Sequence, residues 1–172
     1  ARHAIEMARR WISAGQPLSI MTTEIGIENL RLDGFDGPLV RLPWLWPDRL
    51  SIPLLYLARS LQAVFHLPWR RAGTILYGTS DMLPDVIPAF LYRLLRKDSF
   101  WAGCVFHLVP PPSERAGSGL ANRLSHVGQG LSLRMMRSMA DMVIVDNVIL
   151  EGQLAALGFR PESLLLTNMG TD

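Results

Sequence analysis

Polar side chains stand directly after three apolar segments of the chain, where residues of these types could bind a ligand. The four candidates are Ser80, Asp81, His107 and Asn147. Small hydroxyl residues can hold a sugar hydroxyl or a phosphate, and an imidazole can do so through either ring nitrogen. If the apolar segments are parallel strands, their carboxyl ends lie at the edge of the sheet where open α/β sheets bind ligands. These four residues are therefore the first to weigh as a site.

Each candidate also has a purely structural interpretation. Ser80 or Asp81 could cap the helix that follows them, and Asn147 could cap the next helix along the chain. His107 could tie down the rigid loop of three prolines at 110–112. The residues alone leave both interpretations open.

The elements that must position these residues are visible in the spacing of the apolar side chains. Helical spacing predicts helices over 4–12, 54–65, 84–95, 120–139 and 148–157. Short apolar runs predict strands over 17–23, 39–43, 74–77, 101–106, 142–145 and 163–167. A loop rich in Gly and Asp is predicted over 26–37, and a Trp/Pro turn over 44–47.

Strands that alternate with helices, several of them continuous apolar runs, predict the α/β class. We expect a Rossmann-like parallel sheet with helices on both faces, in a single domain over residues 1–172. The pattern opens with a helix, whereas a doubly wound domain opens with a strand and a Gly-rich turn. We therefore expect this chain to lack the first strand of the fold.

Composition narrows the classes of function. With 49% apolar residues over 172 positions, the chain can bury a sizeable core. Its net charge of +2 comes without a basic run, so nucleic-acid binding has little support. The four histidines lack metal-ligand spacing, and the single Cys104 fits a reducing, cytoplasmic compartment.

The longest apolar stretch, residues 51–68, is interrupted by polar side chains and is not expected to span a bilayer. Its helix could instead lie on a membrane, at the inner face, with Arg70 and Arg71 at its end. We favour packing of its apolar stripe in the core, because that is the commoner use of such a stripe.

Several short motifs follow one another in a recognisable order. They are Arg2-His-Ala-Ile-Glu-Met-Ala-Arg-Arg-Trp11, Met21-Thr-Thr23, Tyr77-Gly78, Val105-Phe-His107, Ala140-Asp-Met-Val-Ile-Val-Asp-Asn147 and Leu157-Gly-Phe159. Their order resembles the N-terminal, acceptor-side domain of group 1 glycosyltransferases of GT-B fold, over nearly the whole chain. In that family an Asn-Gly-Val-Asp-like turn leads into a second domain, and Met169-Gly-Thr-Asp172 is similar to it with Met in place of Asn.

The resemblance implies an enzyme that transfers a hexose-type sugar from a nucleotide-sugar to an acceptor hydroxyl, with retention and without a metal. The nucleotide-sugar is a co-substrate, so no cofactor is implied, and the acceptor is a carbohydrate, a lipid or a small molecule. The C-terminal domain of the family, which holds the donor with basic residues and two spaced glutamates, is absent from this chain. The isolated domain is therefore expected to be inactive.

The resemblance also implies roles for the four candidates. His107 would be the catalytic residue, touching the donor sugar near the reacting centre, where it orients the sugar and stabilises developing charge. Ser80, Asp81 and Asn147 would line the cleft as substrate-binding residues.

Two functions of other classes stay open. An α/β hydrolase would use Ser80 as its nucleophile with His107 or His126 as the base. Its turn, Gly78-x-Ser80-x-Met82, lacks the second small residue that such a sharp turn needs. A non-catalytic binding module of Rossmann type would need no such chemistry.

Overall fold

The computed structural model of the chain describes residues 2–43, 51–117 and 119–167. The chain divides into two compact units, residues 1–66 and 67–172. The predicted turn over 44–47 and the family-like turn over 169–172 lie outside the described residues.

The first unit contains three helices and two short strands within the described residues. They are α1 (Arg2–Ser13), β1 (Ile20–Thr22), α2 (Glu24–Leu32), β2 (Leu39–Arg41) and α3 (Ile52–His66). The two strands pair in parallel, with Ile20 opposite Leu39. A small cluster of Ile5, Ala8 and Phe35 forms the buried core of this unit.

Helix α2 corrects the prediction of a loop over 26–37, since residues 24–32 are helical. Thr23 is its N-cap, and the Thr23 hydroxyl accepts from the backbone N–H of Gly26 at 3.3 Å. Glu24 lies in the first turn, where a negative charge favours the helix dipole. These start signals outweigh the low helix propensity of Gly26.

Helix α3 also departs from expectation, because its apolar stripe does not pack in a core. The stripe consists of Leu54, Leu57, Leu61 and Phe65, and all four side chains are exposed, Phe65 by 80%. The buried positions of α3 are instead the small residues Ser60 and Ala63. Within the described residues, no helix has the length and hydropathy needed to cross a membrane.

The second unit alternates strands and helices, as the sequence predicts. Its elements are β3 (Ile75–Tyr77), α4 (Leu83–Leu95), β4 (Phe100–Val105), α5 (Gly119–Met139), β5 (Met142–Val145), α6 (Val148–Ala156) and β6 (Leu164–Leu166). The four strands form one parallel sheet in the order β3-β4-β5-β6. The described strands thus form two parallel sheets, one in each unit, and the α/β class with Rossmann-like parallel strands is confirmed.

Strand β4 runs through the centre of the second core. Residues 101–105 are all buried, and Gly103 leaves room for Met136 of α5. A Cβ at position 103 would lie only 2.4 Å from the Met136 Cε atom. At the amino end of the sheet, Arg93 of α4 donates twice to Asp141, with both distances at 2.9 Å. Asp141 also accepts from the backbone N–H of Trp101, so one carboxylate ties α4 to the start of β4 and β5.

Candidate functional site

The loop after β3 is anchored at its first residue and carries three polar side chains. The backbone N–H of Gly78 donates to the carbonyl of Ala102 in β4 at 2.8 Å, which holds the loop at the carboxyl edge of the sheet. One carboxylate oxygen of Asp85, in the first turn of α4, accepts from Ser80 Oγ at 2.8 Å and from Thr79 Oγ1 at 3.1 Å. The hydroxyl groups of this loop are therefore folded back on the helix that follows.

The capping alternative is not realised for Ser80 and Asp81. The N-cap of α4 is Met82, which has no side-chain capping bond, although Ser80 Oγ accepts from the Met82 N–H at 3.3 Å. Asp81 instead accepts a hydrogen bond from Gln129 of α5 at 2.5 Å. The Asp81 carboxylate thus bonds helix α5 and does not cap helix α4.

Burial raises the pKa of Asp85, and the negative charge of Asp81 adds to this rise. Hydrogen bonds from Ser80 and Thr79 oppose the shift, because they stabilise the carboxylate, but the net pKa remains above its ordinary value. Asp85 therefore holds its proton to higher pH than an exposed aspartate does. A raised carboxyl pKa next to two hydroxyl groups is a feature that functional sites share with some structural networks.

Gln129 joins the loop after β3 to the loop after β4. Its Nε2 donates to Asp81 and to the carbonyl of His107, the latter at 2.8 Å, while its Oε1 accepts from the backbone N–H of Val109 at 2.6 Å. His126, one turn earlier in α5, bonds the Val109 carbonyl through Nδ1 at 3.1 Å. Side chains of one helix thus fix the backbone that directly follows His107, from its carbonyl to Val109.

His107 itself lies just beyond the carboxyl end of β4, and its side chain is exposed. Its carbonyl is held by Gln129, whereas its ring forms no hydrogen bond with the described residues. The sequence also allowed a histidine that ties down its own loop. In the structure, Gln129 and His126 hold this loop, and the His107 ring does not. The arrangement presents an imidazole from a braced backbone, as a ligand contact requires.

Asn147 occupies the capping position that its structural interpretation predicts. Its Oδ1 accepts from the backbone N–H of Leu150 at 2.8 Å, and its Nδ2 donates to Asp146 at 2.7 Å. Both ends of the amide are thus engaged at the start of α6. Gln129 joins Asp81 to the His107 loop, Ser80 bonds Asp85 within the β3 loop, and no hydrogen bond among the described residues links Asn147 to either group.

A thiol on β4 and a phenol on β3 form a further hydrogen-bonded pair. Cys104 is buried and donates from Sγ to the hydroxyl of Tyr77 at 3.2 Å. Burial raises the pKa of the Cys104 thiol to about 11 and also raises the pKa of Tyr77. Both groups stay neutral near pH 7, so neither is an activated nucleophile.

One buried donor beside the β3 loop has no partner within the described residues. This donor is Nε1 of Trp101, a side chain that is only 1% exposed. It lies 3.8 Å from the place that a Cβ on Gly78 would occupy. A larger side chain at position 78 would therefore pack directly on this indole nitrogen.

Sequence reasoning missed Gln129 and Asp85. Gln129 stands between Gly128 and Gly130 inside the predicted helix over 120–139, where a polar side chain is ordinary. The available signal was its position seven residues after Asn122, which places both side chains on one side of α5, where Asn122 is buried. Asp85 was hidden for a different reason, because an acidic residue in a first helical turn is ordinary.

The geometry gives the hydrolase alternative no catalytic pair. Ser80 donates to Asp85, and neither His107 nor His126 forms a hydrogen bond with it among the described residues. The same residues contain no group of three or more His, Cys, Asp or Glu side chains that could hold a metal ion. No protein-family model, curated protein or solved structure matches this chain.

Proposed function

We propose that this chain is the acceptor-side domain of a nucleotide-sugar-dependent glycosyltransferase, in which His107 contacts the donor sugar beside the acceptor hydroxyl. The single observation that carries the proposal is the junction made by Gln129. It holds the backbone from the His107 carbonyl to the Val109 N–H, directly after an exposed imidazole at the carboxyl edge of a parallel sheet, where α/β folds bind ligands.

The chemistry of the junction suits a hydroxylated ligand. Asp81 supplies a carboxylate that can accept from a sugar hydroxyl, and the His107 ring can accept or donate. Two carboxyl groups close together, at Asp81 and Asp85, disfavour a bare phosphate at this point. We therefore propose that Asp81 and His107 contact the sugar and the acceptor, and that a second domain binds the diphosphate of the donor.

The test is a transfer assay on the protein encoded by the whole gene, with UDP- and GDP-linked hexoses as donors and release of the nucleoside diphosphate as the signal. We expect His107→Ala to lower kcat/KM by about tenfold or more, with most of the loss in kcat. The matched control is His66→Ala, since His66 is also exposed and its ring bonds a single partner among the described residues, the Gln62 carbonyl, through Nδ1. The control should stay within about twofold of the original protein.

Two results would contradict the proposal. One is an His107→Ala variant that keeps its kcat/KM within about twofold of the original, which would remove His107 from the reacting centre. The other is covalent labelling of Ser80 by a fluorophosphonate probe, abolished by Ser80→Ala, which would favour a hydrolase instead.

A further inference from the structure

Helix α5 exposes a stripe of apolar side chains along its first three turns. The stripe, called here the α5 stripe, consists of Leu120, Leu124, Val127 and Leu131, which are 68%, 47%, 67% and 41% exposed. With about 100° between successive residues of a helix, the four side chains fall within an arc of about 60°. They form one continuous apolar ridge.

The opposite side of the same turns is polar and buried. Asn122 and Ser132 are buried, and Gln129 makes the three hydrogen bonds of the junction. Asn122 donates to the carbonyls of Arg115 and Ala116. These first turns of α5 therefore place their polar side inward and their apolar side outward, the reverse of a helix that packs on a core with solvent behind it, whereas the later turns contribute Met136 to the core. An outward apolar ridge of this kind marks a surface that another phase or molecule covers.

The charged residues of helix α5 itself all have one sign. Arg123 and Arg134 are exposed on its flank, and neither forms an ion pair within the described parts of the chain. The sequence contains no Asp or Glu between Glu114 and Asp141. A helix with an apolar ridge, flanking arginines and no carboxylate is complementary to an anionic lipid surface, because its apolar side chains enter the acyl boundary while its cations meet the headgroups.

We propose that the α5 stripe is a docking surface for an anionic membrane, on which helix α5 lies in the plane of the interface. A second copy of the chain is a poorer occupant, because pairing two α5 stripes would bring only cations together. The α3 stripe of the first unit has the same character, since no Asp or Glu occurs between Asp48 and Asp81.

The test is flotation of the full chain with vesicles, and it needs no substrate or transfer activity. One set of vesicles contains equal parts of phosphatidylcholine and phosphatidylglycerol, and the other contains phosphatidylcholine alone. We expect association with the anionic set that weakens as salt is raised. Leu124→Gln with Val127→Gln should reduce the partition coefficient by about tenfold or more. Arg123→Gln with Arg134→Gln should reduce it by about fivefold for each arginine removed, on anionic vesicles only.

The matched control is Val148→Gln with Ile149→Gln on α6, which also replaces two exposed apolar residues of the second unit. It should float as the original chain does, and circular dichroism should show every variant folded. Three results would overturn the proposal. They are a folded chain that ignores anionic vesicles, equal loss in the α5 and α6 variants, and a dimer in solution that the α5 variant dissociates without any vesicle binding.

Discussion

Replacing Gln129 with leucine removes three hydrogen bonds while keeping the volume and helix propensity of the side chain. The bonds are those to Asp81, at 2.5 Å, to the His107 carbonyl, at 2.8 Å, and from the Val109 N–H, at 2.6 Å. Two of them are between neutral groups, each worth about 0.5–1.5 kcal/mol net, and the bond to a carboxylate is worth about 1.5–3 kcal/mol. Water can replace part of each bond because the junction is half exposed. We therefore expect a loss of about 2 kcal/mol in the free energy of unfolding.

The assay is urea unfolding followed by circular dichroism, with thermal unfolding as a second measurement. A loss of this size lowers Tm by about 4–8 °C for a chain of this length. Gln153→Leu is the matched control, because Gln153 is an exposed glutamine on α6. The control should change the free energy of unfolding by no more than about 0.5 kcal/mol.

A double-mutant cycle with Asp81→Ala isolates the bond between Gln129 and Asp81. We expect a coupling energy of about 1–2 kcal/mol between the two substitutions, since the side chains are in direct contact. A coupling energy near zero, together with equal losses in Gln129→Leu and Gln153→Leu, would refute the role of Gln129 as the junction between the two loops.

Three further predictions concern packing and protonation. Gly103→Ala should cost about 1–3 kcal/mol, because its new methyl group meets Met136, and the double variant with Met136→Ala should lose less in urea unfolding than the sum of the two single losses. The pKa of Asp98 is lowered from 3.8 to about 2 by its hydrogen bonds with Arg96 and the Gly73 N–H. The stabilisation that Asp98 contributes is present above pH 3.8 and is lost as the pH falls toward 2. The free energy of unfolding of Asp98→Asn should therefore depend less on pH in that window than that of the original protein. Cys104 should resist a thiol reagent at neutral pH in the folded protein and react once unfolded, and thermal scans should show its contribution to stability falling as the pH rises from 9 toward 11. Rapid labelling of Cys104 in the folded protein would contradict the burial of its thiol. An unchanged pH dependence of unfolding between pH 2 and 3.8 in Asp98→Asn would contradict the lowered pKa of Asp98.

The sequence by itself determined the elements of the second unit. The continuous apolar runs at 101–106 and 142–145 predict buried strands, and they form β4 and β5 within one residue of the expected bounds. Gly158, with φ of +86°, follows α6 where the pattern predicts its end. These features can be predicted from the sequence because burial on both faces of a strand and the end of a helix each require particular residue types.

The elements of the first unit were harder to predict from the sequence, because signals for a helix and for a loop had similar strength. Gly26 and two aspartates within 33–36 favour a loop, whereas Thr23 and Glu24 favour a helix, and the helix prevails in α2. The apolar stripe of α3 shows a different limit. Its period predicts a helix correctly, but period alone cannot say whether a core, a membrane or a partner covers the apolar side.

Only the tertiary structure decided how the candidate residues relate to one another. Sequence position placed all four candidates after strands. It offered capping as the alternative for Ser80, Asp81 and Asn147, and a role in holding its own loop as the alternative for His107. The fold then engaged Asn147 as a cap and recruited Gln129, which lies 48 residues from Asp81, to bind the two loops together. Hydrogen-bond partners over such a separation depend on which faces of α5 and the sheet meet. No local pattern contains that information, because the meeting is decided by packing of the whole core.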